Sequence, residues 1–261
     1  VEQGLQEAKC PKLQSWWDYE DCGYRKPART CNQQKLLRSC PLPSHDLRNG
    51  SLNQAAYALA LFLRDVTGGD LVAWIDRRFE QADTLASTAR GKAMAASIVE
   101  PLRHVHGLSD KVLSMSLSML LLAGDPDRER WIAAGASMIA VDTLVHNWFV
   151  RTGILRQLGN EHAYGARCYS EGGCASIIEH VSKRIDARRF NSDFPAYFPR
   201  FVQHAVWQFC AQSGRDECNG NRIDDRKRCQ RAECELFHRC GRVALNPRAR
   251  TAQGLQPATP L

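Results

Sequence analysis

Cysteine placement divides this chain into parts with different folding problems. Cys10, Cys22, Cys31 and Cys40 lie near the start, and Cys168, Cys174, Cys210, Cys218, Cys229, Cys234 and Cys240 lie late; none falls between Cys40 and Cys168. The middle must hold itself together by burying apolar surface, while the two ends have thiols to draw on. That gap is not the pattern of a uniform disulfide scaffold, and eleven cysteines cannot all pair within one chain. Val1 to Lys9 is polar and lacks the apolar stretch of a secretory signal, so an intracellular setting, cytoplasm or nucleoid, is expected. Thiols there more often hold metal than form disulfides. The first four cysteines are separated by eleven, eight and eight residues, which matches no zinc-finger spacing, so disulfides, a zinc site and separate buried thiols all remain open for them.

The 261 residues suffice for one large domain or two smaller ones, and a 44% hydrophobic content is that of a globular chain. No apolar run reaches the ~20 residues of a membrane span. The most apolar stretch, Val112 to Ala123, is interrupted by Ser114, Ser116 and Ser118. The net charge of +7 is unevenly placed: residues 156–261 carry 17 basic and 11 acidic side chains, net +6, whereas residues 51–155 are net −1. A basic C-terminal part suits the phosphates of a nucleic acid.

The pattern is helical throughout, and the expected class is all-α. Leu52, Ala55, Ala56, Leu59, Leu63 and Val66 recur at helical spacing, and Gly68-Gly69 ends that run. Asp70 is placed to cap a second helix with Leu71, Trp74, Ile75, Arg78 and Phe79 on one face. Ala86 to Val99 reads as a third, ended by Glu100-Pro101, and Asp127 to Ala136 as a short inserted helix. Ala175 to Arg188 and Phe201 to Cys210 are two more. Residues 1–50 read as a loop-rich segment whose Trp16-Trp17 pair belongs in a core, and residues 246–261 as a flexible tail.

Most of the chemistry is expected between Pro101 and Arg151. Two helical runs flank the turn His106-Gly107-Leu108-Ser109. Gly107 can take a positive φ and end the first run, and Ser109 can cap the second. The amides of Gly107, Leu108 and Ser109 would then face solvent at a helix N-terminus, where a phosphate is favoured. Lys111 comes next, in the first turn, where the helix dipole disfavours its charged form and so favours a nucleophilic amine. Asp142, between Ile139-Ala140-Val141 and Thr143-Leu144-Val145, is at an N-cap that would hold a carboxylate ionised and oriented.

Val105-His106-Gly107-Leu108-Ser109-Asp110-Lys111 resembles the L-P-G-V-G-R-K hairpin of the endonuclease III-like helix-hairpin-helix DNA glycosylases, and Val141-Asp142-Thr143 resembles their V-D-T-H. Arg151-Thr152-Gly153 resembles the family's residues downstream of V-D-T-H, and the likeness extends more weakly from about Ser51. Three features depart from the family: Ser109 replaces the second hairpin glycine, Leu144 replaces the histidine after V-D-T, and the segment around Gly124 to Gly135 is longer. Late in the chain, Cys218, Cys229, Cys234 and Cys240 have ten, four and five residues between them; the last interval equals the family's and the first two are longer. Thiolates suit iron–sulfur and zinc alike, and the resemblance selects a [4Fe–4S] cluster, with zinc as the alternative.

The resemblance implies two helical domains: a hairpin-bearing one over 51–155, and a cysteine-cluster one over 156–245 with residues 1–50 packed against it. It implies a monomeric base-excision repair glycosylase with AP-lyase activity, acting without a membrane on double-stranded DNA that contains a damaged base. Lys111 would form the Schiff base, Asp142 would stabilise developing positive charge, and Gly107, Leu108 and Ser109 would hold a phosphate. A non-catalytic hairpin DNA-binding protein with a structural metal centre is the alternative, favoured by Ser109 and Leu144. The roles of Cys168 and Cys174 are left open by the sequence.

Overall fold

The computed structural model of the chain describes residues 10–19, 40, 42, 52–83 and 89–246. Its elements, in order, are α1 (Trp16–Tyr19), α2 (Leu52–Leu61), α3 (Leu71–Ala82), α4 (Arg90–Leu102), α5 (Asp110–Ala123), α6 (Glu129–Ser137), α7 (Thr143–Thr152), α8 (Ile154–Gln157), α9 (Cys174–Ser182) and α10 (Pro199–Cys210). There is no strand among the described residues, so the all-α expectation holds. No helix among them is long and apolar enough to cross a membrane.

Two compact units form. The first comprises residues 1–140 and 186–200, the second 141–185 and 201–261. This division differs from the expected one at residue 155. The reason lies in α7. Its last carbonyls, Arg151 O and Thr152 O, accept from Val243 N (2.9 Å) and Gly241 N (2.8 Å), and the buried Arg151 guanidinium pairs with Asp225. Helix-end carbonyls need such partners, and here the late segment supplies them, so α7 belongs with it.

The first unit is built as the periodicity of its sequence dictates. Asp70 caps α3, its carboxylate accepting from Ala73 N at 2.9 Å, and Trp74, Ile75 and Phe79 face inward. One continuous cluster joins these to Leu61, Phe62, Met94, Ile98, Leu113, Leu121 and Trp131. Edge-to-face packing of Trp16 on Phe62 (5.2 Å, 86°) and of Phe62 on Trp74 (5.5 Å, 84°) sits within it. Only half of the Trp16-Trp17 expectation holds, since Trp16 is in the core and Trp17 is 65% exposed. Leu13, Trp16, Tyr19 and Leu42 pack into this first-unit core; most of segment 1–50, including Cys22 and Cys31, lies outside the described residues, as do residues 247–261 of the expected tail.

Gly68 and Gly69, both at positive φ, end the first helical run as expected, after Phe62 to Val66 widen into a π-helical turn. One local reading is corrected. Pro101 does not end a helix but lies inside α4, which runs on to Leu102. Leu102 and Val105 are buried, so the apolar face continues past the proline and holds the last turn in place.

Candidate metal centres

The hairpin expected around Gly107 is a real turn between two helices. α4 ends at Leu102, Leu108 N donates to Val105 O at 3.2 Å, and α5 starts at Asp110. Gly107 has φ +80°, a conformation only glycine adopts freely. Ser109 is the N-cap of α5 in extended conformation, but its side chain makes no capping hydrogen bond. Arg103 instead bridges the turn, its Nε 2.7 Å from Asp110 Oδ1 and a second guanidinium nitrogen on Glu100. Leu108 packs against the first core. Lys111 is half-buried in the first turn of α5. These residues all belong to the first unit, whereas Asp142 and the late cysteines belong to the second.

Asp142 occupies the expected N-cap of α7, its Oδ1 accepting from Val145 N at 2.9 Å. The preceding residue is fixed by Tyr169, whose hydroxyl accepts from Val141 N (3.0 Å) and donates to Val141 O (3.3 Å). Leu144 is half-buried where the resemblance would place a histidine.

Cys218, Cys229, Cys234 and Cys240, grouped from the sequence, do converge. All four line one cavity that also borders Trp148, Arg151 and Thr152 of α7. Cys240 Sγ lies 3.5 Å from Arg151 O and receives the Arg242 N–H at 3.3 Å. Arg151 Nη1 and Arg242 Nε are buried without a hydrogen-bond partner, two cationic donors beside the cavity. Burial pushes the thiols of Cys234 and Cys240 up. Cys218 moves the other way, because Cys210 hydrogen-bonds its sulfur and Arg151 and Arg231 attract the thiolate. Cys210, buried at the end of α10, is the donor, and its own thiol is pushed up by that bond and by burial. The role of Cys210 was invisible in the sequence.

A second group forms on α7 that sequence reasoning missed. His146, His162, Cys168 and Cys174 place one ligand atom each within 4.8 Å of one another, and no other such group occurs among the described residues. His146 and Arg151 are five residues apart on α7, about 140° around a helix, so one helix presents this group on one side and the late-cysteine cavity on the other. Cys168 comes from a 3-10 turn (Ala166–Tyr169) and Cys174 from the first residue of α9. Both cysteines are fully buried. Burial pushes the Cys174 thiol up, with the nearby Cys168 adding to it, and pushes His146 down, with His162 adding repulsion. The signal available beforehand was the even run His162, Cys168, Cys174, six residues apart at each step; His146 comes from an earlier helix that no spacing rule connects to it.

The second unit therefore carries a His2Cys2 group able to bind a metal and a separate four-cysteine cavity. No family model, curated protein or solved structure matches this chain.

Proposed function

We propose that this chain is a base-excision DNA glycosylase with AP-lyase activity that carries a [4Fe–4S] cluster on Cys218, Cys229, Cys234 and Cys240. The observation that carries the reading is the cavity: the four late cysteines line one space, against the same helix that Asp142 caps. The unpaired nitrogens of Arg151 and Arg242, and the Arg242 amide on Cys240, suit an anionic thiolate cluster. When bound, the cluster would serve as a structural cross-link.

The chemistry falls to residues of the chain. A damaged nucleotide must leave the base stack before its C1′ can be attacked. The neutral Lys111 amine would attack C1′, the C1′–N bond would break, and the base would depart with a proton as the lysine forms a Schiff base. Elimination at the sugar would then cleave the 3′ C–O bond of the strand. Asp142, held at its cap by Val145 N, would stabilise positive charge on the sugar. The Gly107, Leu108 and Ser109 amides would position a phosphate.

Borohydride reduction on lesion-containing duplexes tests this. The wild type should be trapped covalently, Lys111→Gln should lose trapping while still binding DNA, and Asp142→Asn should slow excision by about 100-fold or more, as loss of a charge-stabilising group does. Trapping of Lys111→Gln at the wild-type level would remove the lysine from its role. The second reading, a non-catalytic DNA-binding protein, is favoured by Ser109 and Leu144, which stand where the resemblance would place the second hairpin glycine and the histidine after V-D-T. Duplex binding without trapping on any lesion would select it.

A further inference from the structure

We infer that His146, His162, Cys168 and Cys174 form a closed tetrahedral zinc site, separate from the late-cysteine cavity, that fastens the segment between α8 and α9 onto α7. The inference stands on its own geometry and does not depend on action on DNA.

The distances carry it. Cys168 Sγ and Cys174 Sγ each lie 3.5 Å from His146 Nδ1, and Cys174 Sγ lies 3.7 Å from His162 Nε2. A tetrahedral zinc with Zn–S of about 2.3 Å and Zn–N of about 2.05 Å sets adjacent sulfur and nitrogen ligands about 3.6 Å apart. Three of the six ligand–ligand distances thus already match the edges of such a tetrahedron, and all four ligand atoms lie within 4.8 Å of one another. A Cys168–Cys174 disulfide is the competing account. It needs sulfurs about 2.05 Å apart, and both cysteines are free here. It would also leave two imidazoles aimed at sulfurs that no longer carry charge.

The tautomer of His162 fits. Its Nδ1 lies 2.7 Å from Asn160 O. A carbonyl only accepts, so Nδ1 carries the proton and the Nε2 lone pair faces Cys174 Sγ. A backbone carbonyl that orients a ligating imidazole in this way is the usual support of a metal site. Asn160 is itself fixed, its N–H donating to Leu155 O at 2.8 Å. Gly172, at φ +72°, lets the chain turn against it: a Cβ there would stand 2.8 Å from Asn160 Oδ1.

Charge and burial agree. One Zn²⁺ with two thiolates and two neutral imidazoles is electrically neutral, the state a buried site tolerates. Binding releases two thiol protons to solvent, with no oxidant or reductant needed. All four positions are protein ligands, the arrangement of a structural rather than a catalytic zinc. In the segment it fastens, Leu158 is 54% and Tyr164 44% exposed, while the cysteines are wholly buried. Tyr169, beside Cys168, is the residue that holds Val141 next to the Asp142 cap. The zinc therefore also sets the start of α7.

The test is metal analysis and zinc-edge X-ray absorption on the full chain, purified without a metal-binding tag. We expect one zinc per chain bound by two sulfurs and two nitrogens. Cys229→Ser, in the late cavity, should leave that signal intact, and any zinc held by the late cysteines would be lost in this variant and so be told apart. Cys174→Ser and His162→Gln should each lower zinc content by one equivalent. Absence of zinc, a shell of four sulfurs only in Cys229→Ser, a Cys168–Cys174 disulfide in freshly isolated protein, or full zinc retention in folded Cys174→Ser would each overturn the assignment. The spectrum of the unmutated chain decides the matter even if the ligand variants fail to fold.

Discussion

The two compact units are stabilised by different means. The first has an apolar cluster that runs from Leu13 to Met138, with Leu61, Phe62, Ile75, Phe79, Met94, Ile98 and Leu121 at or near zero exposure. The second replaces much of such a core with thiols, imidazoles and buried arginine: Cys168, Cys174, Cys210, His146 and Arg151 are all buried there. Past Cys210 it has no further helix among the described residues, and Cys218 to Val243 run as turns around the cysteine cavity. An apolar core is non-directional and forms from any sequence with the right periodicity. A thiol–imidazole group is directional, and its stability is borrowed from whatever it binds.

That contrast can be broken in three ways. The largest effect is expected from metal removal. Under reducing conditions with a strong chelator, amide exchange should rise across 141–185 and 201–246 while α2 to α6 stay protected. Structural zinc alone supplies an apparent ~10–16 kcal/mol in small domains, more than such a unit can lose and stay folded. Uniform loss of protection across both units, or none, would dissolve the distinction. The next effect is the converse. Phe79, wholly buried in α3, should cost about 3–5 kcal/mol when replaced by Ala. Denaturant unfolding monitored in the first unit should register that loss, and metal content should not change.

The smallest effect is electrostatic. Hydrogen bonds from Arg90 and then from Arg130 hold the Asp83 carboxyl well below the usual carboxylate range. The folded value lies below the unfolded one of about 3.9. Its contribution is therefore full above that pH and fades as pH falls from there through the folded value. These contacts tie the end of α3 to α4 and α6, and because Asp83 and Arg90 are only part-buried and Arg130 is exposed, solvent keeps the gain small. Asp83→Asn should lower the unfolding midpoint of the first unit slightly at neutral pH, and the difference from wild type should shrink below pH ~4. A constant difference down to strong acid would mean that the substitution acts through packing.

What the sequence alone determined is what depends on neighbours in the chain. Asp70 and Asp142 were legible as N-caps because a cap joins a residue to one three places on, and Gly68-Gly69 and Gly107 because their turns need a positive φ. The all-α class came from periodicity, and the late cysteines could be grouped because they lie close in sequence. The tertiary structure decided the rest. It placed α7 with the C-terminal segment, through carbonyls that Gly241 and Val243 satisfy across about ninety residues, and it let α4 run past Pro101 because Leu102 and Val105 found a core. Above all it drew His146 and Cys174 together over 28 residues. Periodicity and capping act within a turn or two of helix. Which distant imidazole meets which thiol is fixed only when the helices that carry them have packed.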